Sequence, residues 1–235
     1  FSSALGANLG ALQSEVLKTV ESLTSAAIDI AEICARGPLE DGLGTVTGGA
    51  NSDGDQQKAL DVRADEIITK ALDESGVAYY ASEEQDDVVT LNKGGKLAVA
   101  SDPLDGSSNI DTNVSIGTIF AIFPADKSGA KTNFMRPGTD QIAGGFFVYG
   151  PQTSLVITTG NGTELYVLNR KSGQFELAIA HMKIAASSKE FAINASNHNH
   201  WLAPVRAYIE DCLLGASGPL QAKQNMRWIG SLVAD

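Results

Sequence analysis

Two aspartates, Asp102 and Asp105, bracket Pro103-Leu104 and are followed directly by Gly106, Ser107, Ser108 and Asn109. Taken locally, the run reads as a turn, since proline presets φ and Asp-Gly is a favoured turn ending. Its company points further: Glu83 and Glu84 end a nearby strand-like stretch, and Asp55 and Asp61 stand at the start of a helical pattern. Five or six carboxylates converging on one cleft cannot all stay ionised without cations. Hard divalent ions with oxygen ligands answer that need, and no His/Cys set with zinc spacing competes. Magnesium, which keeps waters and shares phosphate oxygens, suits a site with few protein ligands per ion. The small residues Gly106, Ser107 and Ser108 leave backbone N–H groups free to form an anion nest beside such ions. Two ions about 3.5–4 Å apart can activate a water and stabilise a leaving alkoxide in an in-line displacement. Phosphoryl transfer to water is the reaction this constellation suits.

The elements that must carry these acids are legible from periodicity. From Leu12 the apolar positions Val16, Val20, Leu23, Ala27, Ile30 and Cys34 recur at helical spacing, and Gly37-Pro38 stops the pattern. The Gly-rich stretch from Gly42 to Gly54 reads as a loop. A second helix is predicted from about Asp55 to Leu72, with Leu60, Ala64, Ile67 and Ala71 inward. Asp61 and Asp65 share another face one turn apart, and Asp65 and Glu66 read as surface charges. Residues 77–82 and 97–101 read as strands, each delivering acids at its C-terminal end, where open α/β sheets bind ligands. Five further β-rich runs, VSIGTIFAIF, IAGGFFVYG, SLVITT, ELYVLN and FELAIA, are too closely spaced for crossovers and imply antiparallel pairing. A helix from about Pro204 to Leu214 follows. The expected fold is α/β with a mixed, largely antiparallel sheet.

Composition narrows the partners. Seventeen basic against 28 acidic residues give a formal charge of -11, a field that repels nucleic acid and anionic membrane surfaces. An anionic substrate would be repelled too, unless the carboxylates first collect cations. The length of 235 residues fits one large domain or two intimate subdomains. No apolar run is long enough to span a membrane, and no basic-then-apolar leader is seen. Cys34 and Cys212 sit among apolar helical residues and read as small buried hydrophobes, which suggests a reducing cytoplasm. Asp86 and Asp87 read as solvated, His198 and His200 as exposed loop residues, and His181 as structural. Ser107 and Ser108 have no histidine placed in sequence to suggest a base, so covalent catalysis is disfavoured.

At these same residues the sequence resembles a known family. GDQQKALDV (54–62), ASEEQ, DPLDGSSNID followed by VSIGTIF, then FAINASN and MRWIGSLVAD together look like class I fructose-1,6-bisphosphatases, members of the lithium-sensitive, magnesium-dependent sugar and inositol phosphatases. The resemblance covers nearly the whole chain. It implies a layered α-β-α-β-α fold as one sugar-phosphatase unit, with a metal-site half at about 1–160 and a sugar-phosphate half at about 161–235. It also implies two or three Mg2+ per site, with Mn2+ or Zn2+ as substitutes, and a homotetramer. The implied activity removes the 1-phosphate of fructose 1,6-bisphosphate, a step of gluconeogenesis and the Calvin cycle.

Carried over residue by residue, the resemblance makes Asp55, Glu83, Asp102 and Asp105 metal ligands, together with the carbonyl oxygen of Leu104. Asp61 and Glu84 become the pair that orients and deprotonates the attacking water. Gly106, Ser107 and Ser108 fall at the phosphate that is removed, and Asn194, Asn197 and Arg227 at the far phosphate, where arginine suits bidentate recognition. Asn197 and Trp228 stand where some relatives carry tyrosine. Relatives are expected to continue beyond Asp235 with a further acidic ligand and a basic residue, and Phe1 reads as following a missing start. Two other enzymatic readings stay open, a sedoheptulose-1,7-bisphosphatase and an inositol-phosphate phosphatase, as does a non-catalytic sugar-phosphate-binding protein.

Overall fold

The computed structural model describes Leu5 and residues 8–39, 46–50 and 56–235, with the backbone alone for Pro38, 46–50 and 56–58. Helix α1 (Gln13–Arg36) buries Val16, Val20, Leu23, Ala27 and Ile30 along one stripe, as the apolar spacing requires. It ends at Gly37, whose N–H closes back onto the carbonyls of Ile33 and Cys34. Two short antiparallel strands follow, β1 (Val46–Ala50) and β2 (Gln56–Lys58). Strand β1 lies within the stretch read from sequence as loop. Helix α2 (Ala59–Ser75) starts after β2 rather than at Asp55, which itself lies outside the described residues.

The core sheet is built from β3 (Tyr79–Ser82), β4 (Val89–Thr90), β5 (Leu97–Asp105), β6 (Ile116–Pro124), β7 (Ala143–Tyr149), β8 (Thr153–Thr158), β9 (Thr163–Asn169) and β10 (Gln174–Ile179). They form one eight-stranded sheet in the order β10-β9-β8-β7-β6-β5-β3-β4. Every neighbouring pair is antiparallel except β3 and β5, which run parallel. The mixed, largely antiparallel α/β fold expected from the sequence is the one observed. The helices α1 and α2 pack on each other and on the sheet over a single apolar core that includes Val20, Ile30, Leu60, Leu72, Tyr80, Val99, Phe120 and Phe147. Phe147 and Tyr149 are buried in sheet packing, as the sequence suggested.

Beyond β10 the chain builds a smaller unit. The strands β11 (Glu190–Phe191) and β12 (Asn225–Met226) pair in parallel, and helix α3 (Ala203–Leu214) sets Ile209 and Cys212 against Phe191. Both cysteines are free thiols: Cys212 is buried and Cys34 half-buried, its pKa pushed up to about 11 by burial. No helix among the described residues is long and apolar enough to cross a membrane.

Candidate active site

The acids enter the site through the one parallel strand pair of the eight-stranded sheet. Ser82 pairs with Ser101, and the next N–H, that of Glu83, donates to the Ser101 carbonyl at 3.1 Å, so Glu83 leaves β3 alongside Asp102 in β5. The sequence reading ended this strand at Asp102 and made the rest a turn. Instead β5 runs through Asp102-Pro-Leu-Asp105, and the turn comes at Gly106, whose φ is +82°. Between Asp102 and Asp105 the ladder slips: Asp102 faces Ile119 while Asp105 faces Gly117, three steps on β5 against two on β6. This is a bulge. In a regular strand, residues three apart point to opposite faces, and the extra residue returns both carboxylates to one side.

Like charges crowd there. Burial, the carboxylates of Glu83 and Asp105, and a hydrogen bond with Glu83 push the pKa of Asp102 up to about 8, opposed by the Leu104 N–H that donates to Asp102 Oδ1 at 3.0 Å. Beneath the bulge, Thr118 Oγ1 donates to the Pro103 carbonyl at 2.7 Å and lies 2.8 Å from the Tyr149 hydroxyl, which therefore donates to it. Both side chains are buried, and they satisfy the backbone carbonyl that the slipped ladder leaves behind.

Asp105 has a second engagement. Its carboxylate accepts the Ser231 hydroxyl at 2.5 Å and the N–H groups of Leu232 and Val233 at 3.0 and 3.1 Å. Asn109, buried, donates its amide to the carbonyls of Ser115 and Ile229, and Asp235 accepts the N–H groups of Ile229 and Gly230. The run 229–235 is thereby clamped over the strand tip. Two glycines make room: a Cβ on Gly106 would lie 2.7 Å from Ser231 Cβ, and one on Gly117 2.1 Å from Val233 Cγ2.

The remaining predicted residues fall in five places. Asp61, buried, lies in the first turn of α2, where the helix dipole favours a carboxylate. Glu84 follows Glu83 in the turn after β3, its N–H donating to Ser82 Oγ at 3.2 Å. Ser107, half-buried, and Ser108, exposed, open a short 3₁₀ helix at Ser107–Thr112, whose first N–H groups have no intrahelical acceptor. Asn194 and Asn197 lie at the start of the 3₁₀ helix Ala195–His200, where Asn194 Oδ1 accepts the Ser196 N–H. Arg227 lies past β12, exposed and paired with Glu190 at 2.6 Å. Glu83, Asp102 and Asp105 are thus brought together, whereas the contacts described for Asn194, Asn197 and Arg227 lie within the smaller unit.

Sequence reasoning missed Asp65. It is buried, not a surface charge, and accepts hydrogen bonds from Tyr80, Ser82 and Gln85. The i,i+4 spacing from Asp61 was the available signal. Asp86 and Asp87 are exposed as expected, with Asp87 paired to Lys131, and His198 and His200 are exposed, but so is His181.

The crowded carboxylates are oxygen donors of the kind a hard divalent cation takes, and the raised pKa of Asp102 reflects the like-charge crowding such a cation would relieve. The donor chemistry therefore fits. Among the described residues, though, no group of three or more such side chains is gathered as an ion would need, and Asp55 lies outside them.

The fold and the strand-tip acids place the chain in the sugar-phosphatase class, and the comparisons with solved structures agree. A fructose-1,6-bisphosphatase of Leishmania major in holo form superposes with a TM-score of 0.86 at 29% identity, over 94% of this chain and 70% of that one. The T-state of that protein gives 0.81 at 26% identity, over 96% and 69%. Among curated relatives, a fructose-1,6-bisphosphatase class 1 of Cereibacter sphaeroides is 52% identical over 96% of this chain and 67% of its own length, and one of Xanthobacter autotrophicus is 48% identical over 98% and 70%. The fructose-1,6-bisphosphatase N-terminal domain model matches residues 7–180 and the C-terminal domain model residues 184–235. The chain belongs to the fructose-1,6-bisphosphatase family, as its motifs implied, and spans about two thirds of the length of these relatives.

Proposed function

We propose that the protein hydrolyses the 1-phosphate of fructose 1,6-bisphosphate, giving fructose 6-phosphate and phosphate, with magnesium as the metal. The observation that carries this reading is the bulged strand tip, where Asp102 and Asp105 share a side next to Glu83 and lead straight into Gly106-Ser107. Glu83, Asp102, the Leu104 carbonyl and Asp105, with Asp55, are the residues that would hold the ions, two or three per site. Bound there, magnesium supplies charge neutralisation for the phosphate and acidifies a water.

The chain's own residues do the rest. Asp61 and Glu84 orient the attacking water and take its proton. The N–H groups of Gly106 and Ser107, with the Ser108 hydroxyl, bind oxygens of the phosphate being transferred. Asn194, Asn197 and Arg227 hold the far phosphate, Arg227 exchanging Glu190 for it. The two free thiols support a cytoplasmic setting, and a homotetramer is the assembly we propose.

Phosphate release by the full-length protein tests the reading, with fructose 1,6-bisphosphate, sedoheptulose 1,7-bisphosphate and inositol phosphates offered with and without magnesium. Fastest magnesium-dependent release from the fructose ester is expected. Faster turnover of another ester, or none of any, would overturn it.

A further inference from the structure

We propose that Asp65 is a positioning residue that holds the Glu83-Glu84 turn in register with Asp61. This rests on the hydrolase reading above. Asp65 lies on α2 one helical turn after Asp61 and is 8% exposed. Its carboxylate grips the turn at both ends. Before Glu83, Oδ1 accepts the Ser82 hydroxyl at 2.6 Å and the Tyr80 hydroxyl at 3.0 Å. After Glu84, Oδ2 accepts the Gln85 amide at 2.6 Å.

The Ser82 hydroxyl relays the grip. Donating its proton to Asp65, it accepts the Glu84 N–H at 3.2 Å, so the backbone of Glu84 is tied to α2 through one side chain. From the other side the sheet fixes Glu83 through its N–H to Ser101. The turn between β3 and β4 could otherwise swing both glutamates, and Asp65 removes that freedom by joining it to the helix that carries Asp61. Every donor aimed at Asp65 suits an acceptor-only carboxylate. In Asp65→Asn, Gln85 can rotate its amide to accept from the new NH2, so the fold has a way to tolerate the change while the grip on Ser82 keeps only an amide acceptor.

The test uses the full-length protein and two readouts, steady-state hydrolysis and Mn2+ binding without substrate by calorimetry. Partners one shell out from a metal ligand typically change activity or metal affinity about 10–100-fold. Asp65→Asn is expected to lower kcat about tenfold or more with KM within about twofold, and to weaken Mn2+ binding, while circular dichroism shows a folded chain. Ser82→Ala, which keeps the carboxylate and removes only the relay to Glu84, should give a smaller loss of the same kind, and it decides the matter if Asp65→Asn fails to fold. If the wild type hydrolyses nothing, the functional reading falls, and the positioning role then stands or falls on the Mn2+ affinities. Folded variants with wild-type kcat and Mn2+ affinity, or losses matching only the unfolded fraction, would overturn it.

Discussion

At the residue scale the site turns on carboxylates in unequal surroundings. Asp61 is buried at a helix start, and a group that activates water contributes chiefly in the transition state. Asp61→Asn should therefore lower kcat by orders of magnitude while leaving KM within a few fold, and steady-state kinetics with parallel losses in both would count against that role. Asp102 makes a separate prediction. In the unfolded chain it titrates near ~3.9, whereas the fold pushes it up to about 8, so the metal-free native state binds an additional proton between those values. The stabilisation this gives is complete below the unfolded value and is lost as pH rises towards about 8. Thermal melts in chelator should show Tm falling across that window, Asp102→Asn flattening the slope, and added divalent cation helping most at the alkaline end. An identical slope in the variant would remove Asp102 as the cause.

Elements explain what the residues alone could not say. The strand tips, the helix α1 and five of the antiparallel strands follow from apolar periodicity and glycine punctuation, and the structure keeps them. The bulge does not follow, because Asp-Pro-Leu-Asp-Gly has turn chemistry, and only pairing with β6 shows it held as strand. Asp65 is hidden for a related reason: an acid on α2 reads as solvated until Tyr80, Ser82 and Gln85 are folded against it. Asp105 shows the converse, since its type announced a ligand while its hold on 231–233 depends on a chain segment more than a hundred residues away. The bulge itself can be tested through Thr118. In Thr118→Val the Pro103 carbonyl and the Tyr149 hydroxyl both lose a buried partner, which should cost about 1–3 kcal/mol. Urea unfolding of the full-length protein should show a lower midpoint at unchanged m-value, and an unshifted midpoint would mean that the hydroxyl does not support the slipped ladder.

For the whole molecule, the opposition to be resolved is between a chain of formal charge -11 and a substrate carrying two phosphates. Coulomb repulsion reaches roughly 30 Å at 0.01 M salt and about 8 Å at 0.15 M. In chelator, a sugar bisphosphate meets the acids of the strand tip unmasked, so added salt should strengthen its weak binding by screening the repulsion. With saturating magnesium the same site presents cations beside the N–H groups of Gly106 and Ser107, and the local sign reverses. Added salt should then weaken binding, severalfold over that range. A filter or calorimetric titration of the full-length protein, with a non-hydrolysable bisphosphate at low and moderate potassium chloride, reads both slopes. Opposite signs are what a cation-bridged site requires, because only the ions differ between the two arms. Salt weakening binding in both arms would mean that substrate is held by fixed basic groups, with Arg227 released from Glu190 as the first to examine by Arg227→Gln, and salt strengthening it in both would mean that the ions do not reverse the local sign.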